Sequence, residues 1–273
     1  MSSPSVTDAE RSGTPTFQHK STAVVRALSL FGIMPAMVVA VVLGVIVGPL
    51  PGLVALVVVA AAWAAYVQVR ARGSLDRLLS AVGARPMADE VSPRWVNVVD
   101  GLGITSGIND VELWRSDGSG ANALAAVSGD RCVIVVTDQL VEQLRVVELE
   151  GVAANLLGRI KDGSAGYGTV TFGLLGGFLG SIDAAGKLVA DGLGDQRSVH
   201  SDFVAVETTR YPPGLASALE HLERIGTVVP GTPPATAHLW VAPVVDGDVG
   251  VDPAIAATAC QPLDYRAAVL HEL

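Results

Sequence analysis

Residues 133–161, VIVVTDQLVEQLRVVELEGVAANLLGRIK, decide the fold class. The β-branched run Val133–Val136 favours a central strand, because such side chains pack well on a pleated surface. A short helix is expected to start near Asp138, and a second one from about Val147, where apolar residues recur at helical spacing. The apolar face of this second helix comprises Leu149, Val152, Ala153, Leu156 and Ile160. A strand followed directly by two helices is therefore predicted.

The residues before this stretch predict two helices and two further strands. The helices are marked by apolar residues three to four apart, at Leu75, Leu78, Leu79 and Val82, and then at Trp95, Val98, Val99 and Leu102. The residues from Gly83 to Pro93 interrupt this pattern. The three expected strands of the chain, each bounded by Gly, Ser or Asp, are Val111–Arg115, Asn122–Val127 and Cys132–Thr137.

The residues after Lys161 predict helices at His200–Thr209, at Leu215–Ile225 and from Pro262, with a strand-like segment at Ala237–Val241. Helices, then strands, then helices predict an α+β fold with a small three-stranded sheet rather than a βαβ alternation. The segment 163–182 is uncharged and contains seven glycines. Gly173, Gly176, Gly177 and Gly180 have G-x-x-x-G spacing, which permits close helix contact in a membrane. A flexible glycine-rich loop and a shallow re-entrant segment are the alternatives.

The N-terminal part predicts a membrane anchor. No charged residue occurs from Ala27 to Val69, and the prolines and glycines of 48–52 divide this stretch into two apolar halves. A bilayer core needs about 20 apolar residues per helix, so a transmembrane helical hairpin is predicted at 23–71. A cleaved signal peptide fits poorly, because the apolar stretch is long and no cleavage-type site precedes the second half. A hairpin buried in a soluble core is the other alternative.

Positive flanks predict the orientation of the anchor. Arginines and lysines lie on both sides of the hairpin, at Arg11, Lys20, Arg26, Arg70, Arg72 and Arg77, and the connecting loop has no charge. Such residues stay in the cytoplasm, so the main domain, 72–273, is expected to be cytoplasmic in a multi-pass protein of the cell membrane. Residues 1–22 are rich in Ser, Thr, Pro and Gly and predict a disordered tail.

Composition excludes several classes of protein. The chain has 273 residues, 50% hydrophobic and 16% charged, whereas soluble domains are about 25% charged. Its net charge of −9 offers no obvious basic face for a nucleic acid. Cys132 and Cys260 form no C-x-x-C, which argues against a disulfide scaffold or a cysteine zinc site.

Several ordered motifs resemble the HtpX-like, or CAAX-prenyl-protease-like, membrane zinc metallopeptidases. In that family a strand and a helix precede a second helix that carries E-x-x-x-V-x-A-H-E-x-x-H, and residues 133–161 match this arrangement. The stretch 197–202 resembles the family's later R-E-x-x-A-D segment, while 235–241 and 262–266 resemble its closing segments. Together with the hairpin, the resemblance covers roughly 27–273.

The resemblance also implies where the family's catalytic groups would lie. The two zinc histidines fall on Asn155 and Arg159, the glutamate that acts as general base falls on Leu156, and the third zinc ligand falls on Ser198. All of these positions are replaced, so the resemblance implies a degenerate site.

The chemistry of the replacements agrees with that implication. Asn155 offers only a weak amide oxygen, and Arg159 has no lone pair for a metal. Leu156 cannot take a proton from water. No catalytic residue and no zinc or other cofactor are therefore expected. His200 lies two residues from Ser198 and is the one histidine that could help to rebuild a zinc site. The simpler interpretation is that His200 is a surface or capping residue. The acidic run 246–252 lacks EF-hand spacing and predicts a surface turn.

The sequence thus predicts a membrane-anchored pseudopeptidase that serves binding, regulation or assembly of a membrane complex. Its candidate ligand-binding cleft comprises Asn155, Arg159, Ser198 and His200. Arg159 is expected to pair with a carboxylate, either from a ligand or from an internal acid such as Asp202. The expected partners are the membrane and other membrane proteins or a peptide segment, and no nucleic acid. The alternatives are an active zinc metalloendopeptidase with non-standard ligands and a purely structural subunit.

Overall fold

The computed structural model of the chain describes residues 25–26, 28–30, 33–88, 92–175, 196–244 and 260–273. Within these ranges the protein is mostly helical, with one small mixed sheet. The disordered tail predicted for 1–22, the glycines Gly176, Gly177 and Gly180, and the acidic turn of 246–252 lie outside the described residues.

Two apolar helices open the described chain, α1 (Ile33–Ile46) and α2 (Pro49–Arg72). Pro49 lies in the first turn of α2, where its missing N–H removes no helical hydrogen bond. A Cβ on Gly52 would lie 2.6 Å from the Ala40 carbonyl oxygen, so glycine permits the two backbones to approach closely. Both helices are long and apolar enough to cross a membrane, and most of their large side chains are exposed.

The sheet has four strands, one more than the three predicted. They are β1 (Ala84–Pro86), β2 (Val111–Ser116), β3 (Ala123–Ser128) and β4 (Arg131–Thr137), in the order β1-β2-β4-β3. β2 and β4 are parallel, and the two outer pairs are antiparallel. The prediction missed β1 because this three-residue edge strand has no alternating pattern and lies in the segment that interrupts the helices.

Eight α-helices surround the sheet in the described residues. They are α3 (Ser74–Ala81), α4 (Pro93–Ser106), α5 (Asp138–Gln143), α6 (Val146–Lys161), α7 (Ser164–Leu175), α8 (Arg197–Thr209), α9 (Pro212–Ile225) and α10 (Leu263–His271). α7 forms the first part of the predicted glycine-rich segment. A Cβ on Gly173 would lie 2.2 Å from the Ser74 Cβ, so α7 packs closely on α3.

The predicted strand Ala237–Val241 is wrong. Pro234–Leu239 forms a 3₁₀ helix instead, and Trp240 makes a single bridge to Leu124 of β3. Pro234 in the first turn favours this helix, because its fixed φ suits a helix start and its missing N–H removes no helical hydrogen bond there.

The sheet is buried on both faces. Ile134 and Val136 of β4 lie in the core that contains α6, whereas Val133 and Val135 lie in a second core with α3 and Trp240. α6 is buried around nearly its whole circumference from Leu149 to Ile160, apart from Glu150. Polar side chains on this helix therefore lie in the interior and need partners there.

A substitution at Gly151 of α6 tests how closely this helix packs on α9. A Cβ added at Gly151 would lie 2.8 Å from the Leu215 Cα, so Gly151→Ala is expected to lower the free energy of unfolding by about 1–3 kcal/mol. Gly101→Ala in α4, where nothing lies within 4 Å of the added Cβ, is the matched control and is expected to be neutral or stabilising. Chemical denaturation of both variants measures the difference; equal stabilities would contradict the close packing.

Candidate functional site

The candidate positions of α6 lie in the interior of the domain. Asn155, Leu156 and Arg159 are all buried, and so is Ser198 in the first turn of α8. His200 is exposed, so it does not join Asn155, Arg159 and Ser198 in one buried cleft. The close contact of α6 with α8 is permitted by Gly158, where a Cβ would lie 2.8 Å from Val204 Cγ1.

Asp202 links three helices through hydrogen bonds. Asn155 Nδ2 of α6 donates to Asp202 Oδ1 over 2.8 Å. Arg266 of α10 forms a bidentate pair with the same carboxylate, with Nε and Nη2 each 2.7 Å from an oxygen. Arg266 Nη1 also donates to the Val241 carbonyl oxygen, over 2.5 Å. Asp202 and Asn155, the residue predicted to stand at the first zinc-histidine position, therefore belong to one buried hydrogen-bond network.

Arg159 is held by backbone carbonyls. Its Nη1 donates to the carbonyl oxygens of Leu239 and Trp240, over 3.2 and 3.0 Å. Burial, and then the neighbouring Arg266, lower the pKa of Arg159. The internal acid named as its alternative partner, Asp202, forms its ion pair with Arg266 instead.

Three residues that sequence reasoning left out join this polar centre. Cys260 Sγ lies 3.4 Å from Arg266 Nη1 and 3.8 Å from Ser198 Oγ. Burial, and then Arg159, lower the pKa of Arg197 to about 9. Arg197 and Arg266 both lie in segments that resemble the family, 197–202 and 262–266. Their presence in those segments could have marked them as candidate site residues.

A buried histidine lies close to the same region. His238 Nε2 is 3.1 Å from the Gly168 carbonyl oxygen, an acceptor, so this nitrogen carries the proton. Burial, and then Arg197, lower the pKa of His238 to about 3, which keeps the ring neutral at neutral pH. The pattern of the sequence placed His238 in a strand-like segment and assigned it no role.

Comparison with known proteins tests the predicted resemblance to the HtpX-like metallopeptidases. No protein-family model matches the chain. The Protease HtpX homolog of Tropheryma whipplei (strain Twist) is 29% identical over 214 residues, which cover 66% of this chain and 73% of that protein. The Protease HtpX homolog of Dictyoglomus thermophilum is 29% identical over 203 residues, 62% and 67% of the two chains. The chain is HtpX-like.

The relatives contradict the prediction that the protein has no cofactor. HtpX-type proteases are zinc metallopeptidases, and the matched relatives carry that protease's name. An HtpX-like chain is therefore related to zinc proteins, and the expectation of no cofactor does not follow from the replaced positions alone.

The donor set of the HtpX-like polar centre does not fit zinc. The part of the chain that the structure describes contains no group of three or more His, Cys, Asp and Glu side chains placed to hold a metal ion. Asp202 is engaged by Arg266 and Asn155, and Arg159 lies within electrostatic range of it, so a dication would meet positive charge.

Glu148 is a second buried carboxylate, and it anchors the start of α6. It accepts hydrogen bonds from the Arg145 backbone N–H, the Arg145 guanidinium and the Ser217 hydroxyl, over 2.7–2.8 Å, and His221 Nδ1 lies 3.4 Å away. Burial raises the pKa of Glu148, but these hydrogen bonds outweigh burial and lower it to about 2. The folded state therefore favours the charged form.

The lowered pKa predicts a loss of stability in acid. A folded pKa below the ordinary glutamate value of about 4.3 contributes stability that is present above that pH and is lost as the pH falls toward 2. The loss is expected to be about 2–3 kcal/mol, since the Glu148 side chain is only 2% exposed. Denaturation curves collected from neutral to acidic pH measure it. Glu148→Gln should flatten the pH dependence and Glu150→Gln should not; identical curves for the two variants would contradict this role.

Proposed function

We propose that this HtpX-like chain is a membrane-anchored pseudopeptidase, a non-catalytic binding, regulatory or assembly subunit of a membrane complex. One observation carries the proposal. The resemblance assigns the family's two zinc histidines to Asn155 and Arg159 and its general base to Leu156, and the two polar side chains bond to Asp202 and to backbone carbonyls inside the protein. Nothing among these three side chains can activate a water molecule.

The proposed anchor comprises α1 and α2. HtpX proteins are membrane proteins, and the apolar side chains of both helices are exposed, which is unfavourable in water and favourable in lipid. The positive residues in the last turn of α2, Arg70 and Arg72, favour a cytoplasmic main domain. Gly48→Cys and Asp264→Cys, made one at a time in a Cys132→Ser background whose remaining thiol, Cys260, is buried, test this orientation by labelling with a membrane-impermeant maleimide. We expect labelling of intact cells at position 48 and none at 264; the opposite pattern would overturn the orientation.

The catalytic part of the proposal is tested with an unfolded protein substrate. The detergent-purified chain is incubated with casein, alone and with added Zn²⁺, and the fragments are counted. We expect no cleavage above that of casein incubated without the protein, because the side chains of Asn155, Leu156 and Arg159 cannot activate a water molecule. Cleavage that depends on zinc and is blocked by 1,10-phenanthroline would overturn the pseudopeptidase.

An active zinc metalloendopeptidase with non-standard ligands is the second candidate. The names of the relatives favour it, since each is called a protease homolog.

The partners proposed for the pseudopeptidase are other membrane proteins or a peptide segment, bound at the polar centre. Co-purification that depends on Arg159 supports binding there, whereas a partner retained in full by Arg159→Ala is held elsewhere.

A further inference from the structure

Two arginines of the polar centre keep buried donor atoms without a partner among the described residues. Arg159 is 6% exposed, and its Nε has no hydrogen-bond acceptor although its Nη1 bonds to two carbonyls. Arg197 is partly buried, and its Nη1 is buried without an acceptor. Within the described residues, the ion pairs of the centre join only Arg266 to Asp202. Neither Arg159 nor Arg197 therefore forms an ion pair within the part of the chain that the structure describes, although Asp202 and Asp162 lie within electrostatic range of Arg159.

The surrounding charges strengthen the attraction for an anion. Arg159 acts with burial to lower the pKa of Arg197, so the two guanidiniums lie within electrostatic range of each other. Arg197 is the first residue of α8, where the helix dipole is positive. His238 nearby is neutral. Buried charge without a counter-ion is strongly unfavourable, and a bound oxyanion would relieve it.

An unpartnered acceptor lies beside these donors. Asn155 precedes Arg159 by four residues on α6, so the two side chains occupy the same helix face. The bond from Asn155 Nδ2 to Asp202 orients the amide, and Oδ1 is left buried without a donor in the described chain. A ligand that fits must therefore offer a carboxylate or phosphate and, next to it, an N–H group. The last residue of a peptide offers a carboxylate and an N–H together, whereas phosphate offers no N–H.

We propose that Arg159, Arg197 and Asn155 form a binding site for the carboxyl terminus of a peptide. The terminal carboxylate accepts hydrogen bonds from Arg159 Nε and Arg197 Nη1, and the terminal amide N–H donates to Asn155 Oδ1. This inference rests on the proposed function, because it assigns a ligand to a centre that the proposed function makes non-catalytic. No bond forms or breaks in the site.

The test compares a peptide acid with its amide. N-acetyl-Ala-Ala with a free carboxylate and the same peptide with a terminal amide are titrated calorimetrically into the full chain in detergent. We expect the acid to bind at least about tenfold more tightly. Arg197→Gln is expected to remove this preference, whereas Arg85→Gln, the same change at a side chain that is 69% exposed, keeps it. Circular dichroism checks that each variant is folded. Arg197→Lys, which keeps the charge but loses the planar fork, is expected to weaken binding several-fold.

Three results would overturn the site: equal binding of acid and amide, unchanged binding by folded Arg197→Gln, or competition by inorganic phosphate as strong as by the peptide acid. Repeating the titration with 1,10-phenanthroline, an uncharged chelator, distinguishes this proposal from a metal-held carboxylate. Binding that survives the chelator supports the arginine site, and binding that disappears overturns it. Casein cleavage together with chelator-resistant peptide binding would overturn the pseudopeptidase and leave the site standing.

Discussion

Asp202→Ala is expected to lower the free energy of unfolding by about 3–5 kcal/mol, because it leaves a fully buried guanidinium without its counter-charge. Arg266 is 0% exposed and places two nitrogens 2.7 Å from the Asp202 carboxylate. The same substitution removes the acceptor of Asn155 Nδ2. Urea denaturation in mild detergent, followed by tryptophan fluorescence, measures the loss.

Asp76→Ala is the matched control for this prediction. Asp76 also accepts a hydrogen bond from an arginine, Arg131, over 3.0 Å, but its side chain is 71% exposed. Exposed pairs contribute about 0–1 kcal/mol, so the control should unfold close to wild type. The double variant Asp202→Leu/Arg266→Met, which removes both charges, is expected to regain much of the lost stability. Equal losses for Asp202→Ala and Asp76→Ala would contradict the role given to the buried pair.

Trp240→Ala is expected to cost about 3–5 kcal/mol, the range for removing a large buried aromatic side chain. The Trp240 side chain is fully buried in the core beside α3, and its indole Nε1 donates to Thr236 Oγ1 over 3.2 Å. Its backbone bridges to Leu124 of β3, and its carbonyl oxygen accepts from Arg159. The cavity left by alanine would therefore loosen the segment that holds Arg159.

Tyr265→Ala is the matched control for Trp240→Ala, and Trp240→Phe is a more conservative change at the same position. Tyr265 is an exposed aromatic residue of α10, so its loss is expected to change stability little. Trp240→Phe keeps most of the buried area and loses the hydrogen bond to Thr236, for an expected cost of about 1–2 kcal/mol. Circular dichroism is the better measurement here, since the substitution removes a fluorophore. A cost for Trp240→Ala no greater than for Tyr265→Ala would show that Trp240 does not support the core.

Local pattern was enough to predict most of the secondary structure. The β-branched run of β4 and the helical spacing of α3, α4 and α6 each decide a local conformation through the period at which apolar side chains recur. The uncharged residues of α1 and α2 predicted two apolar helices for the same reason. β1 and the 3₁₀ helix after Pro233 were not predicted, because one depends on pairing with β2 and the other on Pro234 in its first turn.

The sequence by itself determined most of the helices and strands, the similarity to HtpX-type proteases, and which residues stand at the positions predicted for their catalytic groups. Only the tertiary structure decided what those residues contact. Asp202 and Arg266 are 64 positions apart, and Arg159 meets carbonyls 80 and 81 positions away. Such pairs form because α8, α10 and the chain near Trp240 pack around α6, and no local pattern encodes that arrangement. The same packing leaves Arg197 and Arg159 with donor atoms that have no acceptor among the residues that the structure describes, a property that follows from burial and not from residue type.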